Sequence, residues 1–169
     1  LTDNTPLSLA VSSVGSGGVT LVSNGAITQS GNFVTAGGTT NLTASGPADI
    51  TMTQVGNDFG TVVITTGQNV QITDTNALVL GASTVSGTLT TSSVGLSQSG
   101  ALSVTGAASF DAGASTLVLN TAGNSFTSTV ALSNSGVNAV SLTDNTPLSL
   151  AVSSVGSGGV TLVSNGAIT

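Results

Sequence analysis

The chain has 169 residues, a net charge of −6 and no Lys, Arg, His, Cys, Trp or Tyr. Average soluble proteins are about 25% charged, whereas this one is 4% charged, and every charged residue is an aspartate: Asp3, Asp49, Asp58, Asp74, Asp111 and Asp144. Without cations it has no electrostatic basis for nucleic-acid binding or for attachment to anionic membranes, and without cysteine it has no disulfide, thiol chemistry or thiolate metal site.

Ser and Thr supply about a third of the residues, with 23 Gly. Disordered chains combine low hydrophobicity with high net charge. This chain is 38% apolar, mostly Val, Leu, Ile and Ala, with a mean hydropathy of +0.48, so it has a core to bury. No apolar run approaches the ~20 residues of a transmembrane helix, and no membrane insertion is expected.

Residues 1–28, LTDNTPLSLAVSSVGSGGVTLVSNGAIT, recur unchanged at 142–169. The spacing reads as a tandem array: 1–141 is one complete unit and 142–169 begins the next, within a single continuous segment 1–169. The chain starts without Met or a signal peptide, as a piece from mid-array would. Along the unit, ITQSGNF (27–33) is echoed by LSQSGAL (96–102), and GNDF (56–59) by GNSF (123–126). The unit therefore divides into two diverged halves of about 70 residues.

A shorter beat lies below. An Ile or Leu followed by a short polar residue closes a strand at Ile27-Thr28, Ile50-Thr51, Ile72-Thr73, Leu96-Ser97, Leu119-Asn120, Leu142-Thr143 and Ile168-Thr169. The near-even steps suggest six turns per unit and about seven turns of ~23 residues in the chain. Val62-Val63-Ile64, Val70-Gln71-Ile72, Leu78-Val79-Leu80 and Leu117-Val118-Leu119 are short and β-branched-rich, mostly with period two. Asn24-Gly25 and Asn165-Gly166 are turn dipeptides. Pro6, Pro47 and Pro147 sit where strands start and a missing N–H is tolerated.

Three short strands per turn, repeating roughly every 20–25 residues, predict an all-β fold: a right-handed parallel β-helix (β-solenoid) with turns stacked ~4.8 Å apart. In that reading Ile27, Ile50, Ile72, Leu96, Leu119, Leu142 and Ile168 stack as an apolar column. Thr28, Thr51, Thr73, Ser97, Asn120, Thr143 and Thr169 then stack as an outward polar ladder. Like charges repeated in register every ~4.8 Å repel strongly, which explains why charge is scarce. Small β-sandwich domains of ~70 residues are the rival architecture, but sandwich turn signals fall roughly every 8–12 residues, and the longer beat favours the solenoid.

NDFGTVVITTGQNVQITDTNALVLGASTVSGTL (57–89), AITQSGNFVTAGG (26–38) and LSQSGALSVTGAASFDAGA (96–114) resemble repeats of large filamentous-haemagglutinin-like exoproteins of Gram-negative bacteria. The resemblance implies an exported β-helical rod on the cell surface, serving adhesion, biofilm or contact-dependent competition. It covers the shaft only, so secretion domain, tip and anchor are expected elsewhere in the protein, and it carries over no functional residue.

Aspartate alone cannot assemble a conventional acid–base or nucleophilic site, so no enzyme and no cofactor are expected. Calcium prefers carboxylate, amide and carbonyl oxygens, which makes Asp74 with Asn76 and Asp144 with Asn145 weak candidates against an ordinary turn-capping role, and Asn57-Asp58 places oxygens at a turn in the same way. Thr51-Met52-Thr53 and Thr73-Asp74-Thr75 raise an ice-binding ladder, which Ser97-Gln98-Ser99 and Asn120-Thr121-Ala122 interrupt. Phe33, Phe59, Phe110 and Phe126 read as core fillers. The expected function is a structural shaft at the bacterial cell surface or outside the cell. Its partners are neighbouring repeats or end-to-end copies, with host or neighbouring cells met through regions beyond the segment.

Overall fold

A computed structural model describes residues 1–169. It is a parallel β-solenoid of 22 short strands. There is no helix, hence none long and apolar enough to cross a membrane. Two sheets face each other: a nine-stranded sheet that starts at Thr2–Asp3 and ends at Val160–Ser164, and an eight-stranded sheet from Leu7–Leu9 to Ser149–Leu150. The chain alternates between them, and every pairing is parallel to the strand one turn away, as in Leu7↔Ile27, Ile50↔Val70 and Val70↔Leu89.

Alternation within each strand builds the core. Val70–Thr73 and Leu89–Ser92 each place every second residue inward, the period-two geometry of a strand. Thirty-two buried apolar residues form one continuous core. Inside the eight-stranded sheet, Ile27, Ile50, Val70, Leu89, Ala108 and Val130 stack one above another. Inside the nine-stranded sheet, Leu78, Leu96, Leu117 and Val140 do the same. Phe33 and Phe59 stack with centroids 6.2 Å apart, and Phe110 meets Phe126 edge-on at 5.7 Å.

The turn count differs from the sequence expectation. Nine strands in one sheet make eight turns. The turns are uneven: the step from Leu78 to its partner Leu96 is among the shortest, and that from Ile27 to Ile50 among the longest. The identical strands Val19–Ser23 and Val160–Ser164 are second and ninth in their sheet. One unit, residues 1–141, therefore makes seven turns rather than six. Two steps of the sequence beat hide the missing turn. Between Ile72 and Leu96 the chain passes Leu78–Leu80 and Leu89–Ser92, changing sheet three times, so that single beat holds one and a half turns. Leu142 to Ile168 does likewise through Ser149–Leu150 and Val160–Ser164.

Seven is odd, and each half-unit is therefore three and a half turns. Equivalent segments of the two halves consequently lie in opposite sheets. Ile27–Gln29 is in the eight-stranded sheet and its echo Leu96–Gln98 in the nine-stranded one. Thr61–Thr66 and Thr129–Ser133 are exchanged in the reverse sense, and Val70–Thr73 and Val140–Asp144 are exchanged too. The short third strands follow the same rule. Ser12–Ser13 pairs Phe33–Val34 where the chain crosses from the eight- to the nine-stranded sheet. Ser83–Val85, Leu102–Val104 and Ser125–Phe126 line the opposite crossing. The two half-units thus approximate a two-fold screw about the axis.

Candidate functional site

The seven residues expected in one apolar column divide between two sheets. Ile27 and Ile50 stack directly, but Ile72 pairs with Met52, two residues along the same sheet. Leu96 belongs to the nine-stranded sheet, where Leu119 pairs with Leu142. Ile168 bridges Leu148 in the last turn and is 47% exposed. The polar ladder divides in the same way. Gln71, not Thr73, lies between Thr51 and Thr90, and Thr73 lies beside Ser92. Thr28 is in the eight-stranded sheet beside Ser8, Ser97 is in the nine-stranded sheet between Val79 and Val118, and Thr143 is paired there with Val163. Asn120 follows the strand Leu117–Leu119, and Thr169 ends the chain beyond Ile168. The cause is the half-turn offset: a period read along the chain cannot tell which of two sheets it falls in.

A surface ladder does form at a crossing, from the Asp49 carboxylate through the Asn69 amide to Thr88. Asp49 Oδ1 accepts the Asn69 backbone N–H and side-chain amide, each at 3.0 Å. Asn69 Oδ1 in turn accepts from the Thr88 N–H and hydroxyl at 3.1 Å.

The most connected polar group in the fold is a buried amide clamp. Gln29, closing its strand, donates Nε2–H to Asn57 Oδ1 at 2.8 Å and to Gly31 O at 2.7 Å. Asn57 returns a bond from Nδ2 to Gln29 Oε1 at 2.8 Å and reaches the carbonyls of Met52 and Thr73, both at 3.2 Å. Its Oδ1 also accepts the Phe33 N–H at 2.8 Å. One fully buried side chain (0% exposed) thus satisfies backbone groups on three successive turns. A buried polar group without partners costs about 1–3 kcal/mol, so the clamp holds these three turns together.

The second half-unit repeats the clamp on the opposite edge. Gln98 donates to Asn124 Oδ1 at 2.8 Å and to Gly100 O at 2.7 Å. Asn124 donates to Gln98 Oε1, Leu119 O and Thr143 O at 2.8, 3.1 and 3.0 Å. Leu102 N–H donates to Asn124 Oδ1 at 2.9 Å. Sequence reasoning picks out Asn57 only beside Asp58, as turn oxygens, and does not join these four amides into a clamp. Their signal is nonetheless present, since Gln29 and Gln98 are the Gln of the two QSG echoes and Asn57 and Asn124 the Asn of GNDF and GNSF.

The four calcium candidates fall at two places in opposite sheets. Asp74 Oδ1 accepts the Phe59 N–H at 2.8 Å, while Asn76 turns away to donate to Asp58 Oδ1 at 3.0 Å. Asp144 Oδ1 accepts from Phe126 N–H at 3.1 Å and from the Thr146 N–H and hydroxyl at 3.1 and 2.9 Å. Asn145 faces Asn165 at 3.5 Å. Burial, followed among the raising influences by the nearby Asp58 charge, pushes the Asp74 carboxyl above its ordinary range, against the opposing backbone N–H groups of Phe59, Asn76 and Thr75. No three acidic side chains converge. The groove lined by Thr43, Ser45, Thr66, Thr84 and Ser86 offers hydroxyls and backbone only.

A stack of irregular turns locked by recurring buried amides defines a β-solenoid repeat protein. Residues 1–66 and 67–133 each match the family described as repeats of unknown function (DUF5649), and the chain belongs to it. The two matched stretches correspond to the two half-units, each carrying one clamp asparagine, Asn57 in the first and Asn124 in the second. No curated protein and no solved structure matches the chain.

Proposed function

We propose that this chain is a non-catalytic shaft segment of a long repetitive protein or fibre outside the bacterial cell or on its surface, of the filamentous-haemagglutinin-like kind, supporting adhesion, biofilm or filament formation. The observation that carries this reading is the closure of the unit 1–141 on seven whole turns. A unit that ends on a whole turn returns each sheet to itself, so tandem copies continue the same two sheets without a corner. Each copy adds about 34 Å at the ~4.8 Å stacking distance. Repeats whose contacts run only to neighbours extend by addition in this way.

Partners in this reading are the adjoining repeats or end-to-end copies, and any receptor is met by other parts of the protein. Immunogold electron microscopy of producing cells, with antibody raised against residues 1–169, tests it. Label strung along surface rods or intercellular fibres is expected. Label confined to the cytoplasm, or to compact particles, would contradict it.

A further inference from the structure

Every side-chain charge on this rod is a carboxylate, and one carboxylate is buried close to another. Asp74 is 4% exposed, because it continues the inward alternation of Val70 and Ile72. Its Oδ1 holds the Phe59 N–H, whereas Oδ2 is buried with no hydrogen-bond partner. Around it, the preceding turn supplies Asn57 O, which accepts the Thr75 N–H at 2.9 Å, and the following turn supplies Ser92 O, which accepts the Asp74 N–H at 2.8 Å. Asp58, which immediately precedes Phe59 and accepts from the Asn76 side-chain amide, is the charged group that acts on it. The chain has no Lys, Arg or His to neutralise either carboxylate.

The other half-unit is an internal control. Asp144 takes the equivalent place, 1% exposed, again with Oδ2 unpartnered. There Ser125 stands where the first half has Asp58, and the Thr146 hydroxyl adds a donor to Oδ1, beside the backbone N–H two residues on that acts on both carboxyls.

We propose that Asp74, opposed by Asp58, is a proton-binding joint recurring once per repeat unit, at which acid tightens the rod and neutral conditions loosen it. Protonation takes one H⁺ from solvent and forms an O–H on the unpartnered carboxyl oxygen. The neutral acid removes the cost of an unpaired buried anion and the repulsion from Asp58. The folded pKa lies above the unfolded value of 3.8, so the folded chain holds the proton more tightly. The stabilisation is complete below 3.8, declines as pH rises through the raised folded value, and is absent above it. Asp3 acts in the opposite sense, because the Thr5 N–H and hydroxyl hold its carboxyl below the ordinary value. Acid also cannot turn this chain into a polycation, which is how low pH expands most proteins.

The test follows the thermal midpoint of residues 1–169 from pH 7 to pH 3, for the wild type, Asp58→Ser and Asp74→Asn, with a carbon NMR titration of the wild-type aspartates. The wild-type midpoint is expected to rise on acidification by at least about 2 °C. Asp58→Ser, which copies the other half-unit, should rise less from a higher starting point, and Asp74→Asn should lose the rise. The Asp74 carboxyl should titrate above 3.8. A wild-type midpoint that falls with acid, or an Asp74 carboxyl titrating at or below 3.8, overturns the proposal. The titration decides alone if Asp74→Asn fails to fold.

Discussion

Residues 1–28 and 142–169 have one sequence and two sets of surroundings. Both copies form the same strand, Val19–Ser23 and Val160–Ser164, in the same sheet. Their burial differs in opposite directions along the segment. Asp3 is half-buried while Asp144 is 1% exposed, and Leu7 at 6% becomes Leu148 at 1%, because the second copy lies on a preceding turn. Further along the order reverses: Leu21 is 2% exposed and Ile27 0%, but Leu162 is half-buried and Ile168 is 47% exposed, because no turn covers the second copy there. The longest strand comes with the sequence, whereas Ser12–Ser13 and Ile27–Gln29 have only isolated bridges in the second copy; the turns above and below make the core. Stability in such a stack is a nearest-neighbour property.

Matched substitutions at the two copies turn that contrast into measurements. The largest difference is expected for Ile27→Ala against Ile168→Ala. Removing the fully buried side chain costs about 2–5 kcal/mol, and removing the half-exposed one costs about 1 kcal/mol or less. Equal costs in chemical denaturation would break the comparison. Next come the clamps, which are covered on both sides. Asn57→Ala and Asn124→Ala should each lose about 1–3 kcal/mol for every buried group left unpaired. The two losses should be alike although the clamps sit on opposite edges, and urea midpoints compare them.

A smaller effect is expected at glycine. Gly18 has φ of 78°, and a Cβ there would lie 2.6 Å from Thr39 O in the next turn. Its copy Gly159 has φ of 92° and open space around it. A left-handed backbone costs a non-glycine residue about 1–2 kcal/mol, so Gly159→Ala should lose that much and Gly18→Ala more, as thermal midpoints would show. The smallest effect belongs to Asp3, where Thr5 donates its N–H and hydroxyl at 2.9 and 2.8 Å and lowers the carboxyl. That contribution is present above 3.8 and is lost as pH falls through the lowered folded value. Asp3→Asn should therefore shift the midpoint slightly at pH 7 and not at pH 1, checked by melts at the two extremes.

The architecture is legible in the sequence because it is the cause of the composition. Alternation at Val70–Thr73, the strand at Leu78–Leu80 and the unchanged recurrence of segment 1–28 all point to stacked parallel strands. The turn count is not legible. Ile72 and Leu96 look like consecutive beats, yet the short turns between them let the chain change sheets on the way. The clamp is hidden differently. Gln29 lies in a QSG stretch and Asn57 reads, beside Asp58, as a turn residue; only folding brings these two distant side chains into contact at 2.8 Å. Asp74 and Asp144 stand out in the sequence as oxygen donors, and the alternation of Val70, Ile72 and Asp74 and of Val140, Leu142 and Asp144 carries both inward.

One repeat unit, residues 1–141, makes seven whole turns, built from two half-units of three and a half turns in exchanged sheets. Cryo-electron microscopy of a recombinant tandem array of the unit tests this directly. An axial repeat of about 34 Å is expected, with an approximate two-fold screw at about 17 Å, on a stacking distance of ~4.8 Å. A repeat of about 29 Å, the length of six turns at that distance, would contradict it.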